Sequence, residues 1–276
     1  MTFVMFSVRS KRWTDGIDCG VAPDQRLECL SFSQLDCLVA FVFGTASNFG
    51  ASYKLEFNYF YRVILMNFFN APILIIGMHR TGTSLLSRVL NDAGVFMGVL
   101  RDHNGESFPF LSVNQKLVPD WTHPETVLNG IDIRPETMLA AHFQLPNEAR
   151  WRLIPQIGKP WGWKDPRNTF TVQAWLTLFP NLRLIHMRRQ EASVVNSLLQ
   201  RNHKPGEFRL DLSGAEVRAL HKQYEQEAIQ YHTWGSRRYM EVHYELLLQR
   251  DAKQIRELSI FCGVKIHPYL EQHLRR

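Results

Sequence analysis

Four clusters of side chains could carry chemistry in this 276-residue chain. The first is Arg80-Thr81-Gly82-Thr83-Ser84, a cation followed by hydroxyls around a glycine. Such a stretch binds an oxyanion through backbone N–H groups, hydroxyls and positive charge together. The second is Glu106, a carboxylate able to take a proton. The third is Lys164-Asp165-Pro166-Arg167. Its proline holds the preceding residue extended, and Lys164 could stabilise charge on a transferred group. A salt-bridged turn between Asp165 and Arg167 is the other reading. The fourth is Arg188-Arg189, with Asn196 and Ser197 each eight residues after one of the arginines. Those arginines could hold a phosphate or simply cap the end of a strand.

The elements that must position these groups follow from periodicity. Ile73 to Ile76 is an unbroken apolar run with three β-branched residues, which predicts a strand buried on both faces. Leu85, Leu86, Val89, Leu90 and Ala93 then form a helical stripe, with Gly94 placed to end it. Strand, glycine-rich turn and helix N-terminus form an anion cradle, because free N–H groups and the helix dipole both face the ligand. Thr169 to Phe179 reads as an amphipathic helix, Leu182 to Met187 as a strand and Glu191 to Leu199 as the next helix. The two arginines thereby fall at the carboxyl end of a strand, where open α/β sheets bind ligands. Ser213 with Glu216 forms a capping box that opens a helix to His232. Arg237 to Val242 predicts a strand, and Lys253 to Cys262 a helix ended by Gly263.

Gly77 and Gly82 have Walker A spacing, but Thr83 stands where the lysine should be. The cradle is kept, while a group that nucleoside triphosphate hydrolysis relies on is missing. At these residues the chain resembles the sulfotransferase family, in particular its bacterial-type members, over roughly residues 70 to 265. The family's first motif, strand, cation, hydroxyl, Gly, hydroxyl, hydroxyl, helix, stands here as Arg80-Thr81-Gly82-Thr83-Ser84. The resemblance implies an α/β fold with a central, mostly parallel sheet and helices on both faces, similar to P-loop NTPases. It implies 3′-phosphoadenosine 5′-phosphosulfate (PAPS) as co-substrate, no metal, and transfer of a sulfuryl group to an acceptor hydroxyl or amine. Carried over residue by residue, Arg80, Thr81, Gly82, Thr83 and Ser84 would hold the 5′-phosphosulfate. Arg80 and Lys164 would stabilise developing charge, and Glu106, shortly after the first helix, would be the base. The family's second motif, a strand-end Arg and a Ser eight residues on, would hold the 3′-phosphate. Arg189 with Ser197 fits it, and Arg188 with Asn196 has the same spacing; the proline that often follows is replaced by Gln190 and Glu191. His243-Tyr244-Glu245-Leu246-Leu247 resembles a late family segment, in which Tyr244 and Glu245 read as structural. A P-loop small-molecule or nucleoside kinase, or a nucleotide-binding module without catalysis, are the rival functions.

Bulk properties bound the rest. The hydrophobic content is 45%, the charged content 21% and the formal net charge +6, which suits one globular domain with a moderate positive field. Residues 1–65 hold six basic and six acidic residues, so the excess lies in residues 66–276. The first 65 residues show no clear period and no link to the cradle. They read as an N-terminal extension, either disordered or a mis-annotated start, or else as a small subdomain, with the family domain over 66–276. No run of eighteen apolar residues exists, so no membrane span is expected. The four cysteines form no CxxC pair, and three precede residue 40, which fits a reducing, cytoplasmic location. The expected acceptor is a small molecule, carbohydrate or peptide, not a nucleic acid.

Overall fold

The computed structural model describes residues 71–128, 158–201 and 212–275, together with residues 133, 137, 138, 146, 152 and 156. The boundary expected at residue 66, the loop His203 to Asp211 and most of the stretch 129–157 lie outside the described residues. Strand β1 (Ile73–Ile76) leads into helix α1 (Thr83–Asp92), then α2 (Phe108–Leu117) and β2 (Gly162–Lys164). Next come α3 (Asn168–Leu178), β3 (Arg183–Arg188), α4 (Glu191–Arg201) and α5 (Gly214–Ile229). The described chain closes with β4 (Tyr239–His243), α6 (Tyr244–Leu248), α7 (Ala252–Cys262) and α8 (His267–Leu274).

The four strands form one parallel sheet in the order β2-β1-β3-β4. Parallel strands need crossovers that cover both faces, so the strands should be apolar throughout. All four β1 residues are fully buried. Their side chains alternate as strand period 2 requires. Leu74, Ile76, Trp163 and Leu184 pack against α2 and α3 on one face. Ile73, Ile75, Ile185, Met187 and Val242 pack against α1, α7 and α8 on the other. The expected two-faced α/β sheet is present. Its order places β2 and β3 on opposite sides of β1, so the connections diverge at the carboxyl ends of β1 and β3. That switch point is where such sheets bind ligands.

Local signals act where they were read. Gly94, at φ 103°, ends α1: its N–H bonds Asn91 O at 3.1 Å, and Val95 N–H bonds Leu90 O at 2.9 Å. This is a Schellman closure, with buried Leu90 and Val95 sharing one core. Ser213 and Glu216 form the reciprocal capping box of α5. Predicted strand and helix ends shift by one to three residues, as frayed ends do.

Candidate active site

The loop from β1 to α1 is shaped by close approaches. Gly77, at φ 129°, lies so near β3 that a Cβ would sit 2.5 Å from Met187 O. Gly82, at φ 100°, leaves no room either: a Cβ would meet the Tyr244 ring at 2.3 Å. Both require glycine. Arg80 is held in the left-handed region at φ 71°, a conformation that costs a non-glycine residue about 1–2 kcal/mol. Neighbours over-determine it. Arg189 Nη1 donates to Arg80 O at 2.9 Å, and Arg80 Nε donates to Ser197 Oγ at 2.9 Å.

Helix α1 begins at Thr83 with no side-chain cap. Its first N–H groups therefore face the loop without an intrahelical acceptor, the arrangement that attracts an anion. Thr81 takes a different role from the one expected. It is fully buried, and both its hydroxyl and its N–H donate to Met78 O, at 2.7 and 3.3 Å. Thr81 shapes the loop from inside, and the cradle shifts to the amides of Gly82, Thr83 and Ser84.

This loop opens on a cavity of about 600 Å³ at the carboxyl end of the sheet. Gly82, Thr83 and Ser84 line it, and so do the cations Arg80, Arg88, Lys164, Arg189 and Arg201. Among the described residues no carboxylate lines it. A low-dielectric cleft of one sign focuses its field on an anion carrying several charges.

Lys164 ends β2, next to β1. Its ammonium is 2% exposed and donates to Glu106 Oε1 at 2.8 Å. Glu106 arrives from a tight loop tied by Asp102, whose Oδ1 accepts from Asn104 N–H at 2.9 Å and Glu106 N–H at 2.7 Å. Gly105 makes the turn at φ 83°, at the expected Asn-Gly signal. Burial pushes the Glu106 carboxyl above its ordinary pKa, and the Lys164 charge pulls it back part of the way. Glu106 lines a second cavity of about 220 Å³, with Trp121, Gln115 and Arg167. His79, Asn104 and Arg201 line both cavities.

Asp165 and Arg167 form the salt-bridged turn, Nη1 to Oδ1 at 3.2 Å. A buried amide network fixes this turn. Asn114 Nδ2 donates to Asp165 Oδ2 at 3.1 Å and to Asn168 Oδ1 at 2.7 Å. Asn114 Oδ1 accepts from Thr171 Oγ1 and Trp175 Nε1. Asn168 Nδ2 reaches Ile75 O of β1 at 3.2 Å. Each amide is satisfied, so the network joins α2, α3 and β1 rigidly and sets the height of Lys164.

Of the two arginine registers, the geometry favours Arg189 with Ser197. Arg188 turns away: its guanidinium donates to Glu225 Oε2 at 2.9 Å and Glu241 Oε2 at 3.2 Å. Arg188 therefore does not join the cleft, contrary to its inclusion among the donor-binding candidates. Arg189 stacks 4.4 Å above the Tyr244 ring, and its Nε is buried without a protein partner. Tyr244, read as structural, lines the cavity. Its position just past the end of a parallel strand was the signal for that. Glu245 does keep a structural part, accepting from Gln190 N–H at 3.0 Å. His79, Trp121 and Asn114 escaped the reading of the sequence, since single polar residues in apolar stretches carry no spacing signal.

Among the described residues no group of histidines, cysteines and carboxylates could hold a metal ion, and no helix is long and apolar enough to cross a membrane. The sequence matches no curated protein. Solved structures with a similar fold include the sulfotransferase domain from the curacin biosynthetic pathway, 16% identical with a TM-score of 0.46, covering 74% of this chain and 77% of that one. Another is sulfotransferase STF1 of Mycobacterium tuberculosis, 14% identical with a TM-score of 0.42, covering 88% and 85%. Sulfotransferase STF9 of Mycobacterium avium is 15% identical with a TM-score of 0.45, covering 88% and 75%. The model of the sulfotransferase family matches residues 72–268, a span that contains β1, the anion cradle, Glu106, Lys164 and Arg189, and on that match the chain belongs to the sulfotransferase family.

Proposed function

We propose that this sulfotransferase uses PAPS as donor and moves its sulfuryl group to a hydroxyl or amine of a small molecule, carbohydrate or peptide. The observation that carries the reading is the convergence of Arg80, Lys164, Arg189 and the uncapped start of α1 on one carboxylate-free cleft. The Gly82, Thr83 and Ser84 amides hold the 5′-phosphosulfate, with the Thr83 and Ser84 hydroxyls assisting. Arg189 and Ser197 hold the 3′-phosphate. The acceptor oxygen or nitrogen attacks sulfur, and the bond from sulfur to the bridging phosphate oxygen breaks. The electron pair stays on that phosphate, where Arg80 and Lys164 stabilise the charge. Glu106 takes the acceptor's proton. Positioning and electrostatics suffice, as they largely do in phosphoryl transfer.

Calorimetric titration tests the donor. The desulfated product, 3′-phosphoadenosine 5′-phosphate, is expected to bind more tightly than ATP, because only it carries the 3′-phosphate. Equal affinity, or preference for magnesium-ATP, would overturn the assignment. The domain boundary belongs to the same proposal. The cores of the described residues are built from Ile73 to Leu274, so a chain beginning at Met66 is expected to fold and bind the product as the full chain does. Loss of solubility or binding would put residues 1–65 inside the domain.

A further inference from the structure

His79 is the buried titratable group that the proposed chemistry leaves unused. It lies between β1 and Arg80 and lines both cavities. Its ring packs on Trp121 with centroids 4.1 Å apart. Its Nε2 is buried and has no hydrogen-bond partner in the protein. A buried polar atom without a partner costs stability, and in native structures such atoms concentrate where a ligand completes the bonding. The surroundings fix its charge. Burial, together with Lys164, Arg167, Arg201 and Arg80 around it, keeps the imidazole neutral well below its ordinary pKa. A neutral ring is both a donor and an acceptor, and among groups shared by the two cavities it alone combines a lone pair with a ring N–H.

We infer that His79 is a catalytic residue that binds the acceptor: its ring N–H donates to the attacking oxygen and holds it in line with sulfur while Glu106 receives the proton. The attacking hydroxyl has two lone pairs. One forms the new bond to sulfur and the other accepts from His79, while the hydroxyl hydrogen points to Glu106. The inference rests on the proposed sulfuryl transfer and adds the group that orients its nucleophile. The imidazole begins and ends the step neutral, so no proton is left over.

The test compares the full chain with His79→Phe, which keeps a ring against Trp121 and removes both nitrogens, and with His79→Asn, which restores a donor. Radiolabelled PAPS is offered with a phenol, an aliphatic alcohol, a hexose and, in every case, water as acceptor, and formation of the desulfated product is followed. Calorimetry with that product measures donor-site integrity in parallel. His79→Phe is expected to lower turnover with the best acceptor, or with water if that is best, by roughly ten- to a hundredfold, the effect of one hydrogen bond in the transition state. Product affinity should stay within about twofold, and His79→Asn should recover part of the rate. Unchanged turnover in His79→Phe, or turnover and product affinity lost together, would overturn the role of His79. A wild-type chain that neither binds the product nor turns PAPS over would instead overturn the sulfotransferase proposal on which this one stands.

Discussion

The Lys164–Glu106 pair gives the most demanding prediction. At 2.8 Å, with side chains 2% and 5% exposed, the charges attract by about 6 kcal/mol at an effective dielectric near 20. Burying them costs several kcal/mol per ion, so the net worth of the pair is small. Removing one partner is different, because it strands the other charge, at a cost of about 3–5 kcal/mol. Glu106→Gln keeps an oxygen that can accept from Lys164 Nζ, so it should fall near the lower end, about 3 kcal/mol. Glu106→Leu should fall near the upper end. Adding Lys164→Met to Glu106→Leu should recover much of the loss, since no charge is then stranded. Urea unfolding followed by circular dichroism measures these terms. In the same variants, Glu106→Gln should cut turnover by about 10²–10⁴, the usual contribution of a positioned base. Product binding should not weaken, because Lys164 is then released to the anion. Stability of Glu106→Gln within about 0.5 kcal/mol of wild type, or additive losses in the double variant, would refute a desolvated pair. Full activity in Glu106→Gln would refute the base.

Arg189→Ala should weaken binding of the desulfated donor by about 1.5–3 kcal/mol, whereas Arg188→Ala, which cuts ties to Glu225 and Glu241, should leave it nearly unchanged; calorimetry distinguishes them, and equal losses would restore the other register. Gly82→Ala should both destabilise the fold by more than about 1 kcal/mol and abolish product binding, because φ is 100° and the new Cβ overlaps Tyr244; wild-type melting and affinity would contradict the loop geometry. His79 makes stability depend on pH: its folded pKa lies well below 6.5, so the unfolded chain gains the proton first. Stability should be complete above pH 6.5 and fall by at most about 1.4 kcal/mol per unit as the pH drops below it towards the folded pKa. His79→Phe should remove that component of the slope, and an identical slope in both proteins would show that His79 is not held neutral.

The parts legible in the sequence are those that depend on local rules. Ile73 to Ile76 could only be a two-sided buried strand, and Gly77, Gly82 and Gly94 mark backbone that other residues resist. Capping by Ser213 and Glu216 likewise depends on residues three apart. The site was legible as far as it follows a motif, Arg80 to Ser84, or a spacing, Arg189 to Ser197. Long-range partnership was not. Lys164 and Glu106 are 58 residues apart, and nothing near either one announces the other. Asn114 looked like a stray amide in an apolar stretch until the fold brought Asp165, Asn168, Thr171 and Trp175 to it. Arg188 and Arg189 differ only in which face of β3 each leaves, and the acids on β4 and α5 that claim Arg188 lie far along the chain. The choice between them is tertiary.

Each cation of the cleft already has a partner weaker than a phosphosulfate. Arg80 rests on a serine hydroxyl, Arg189 on a carbonyl and Lys164 on Glu106. Donor entry is then an exchange of partners by side chains whose rotamers are already narrowed, which reduces the entropy cost of ordering them. The exchange at Lys164 has a chemical consequence. A phosphosulfate that draws the ammonium takes from Glu106 the charge that lowers its pKa, while burial and new negative charge both raise it. Glu106 should therefore become a stronger base when the donor is seated. Because kcat/KM for the donor reports the free enzyme and kcat the loaded one, the acid limb of kcat should lie at higher pH than that of kcat/KM. Glu106→Gln should abolish the displacement. An acid limb of kcat at the same or lower pH would mean that Lys164 stays with Glu106 throughout, and the leaving phosphate would then depend on Arg80 for its counter-charge.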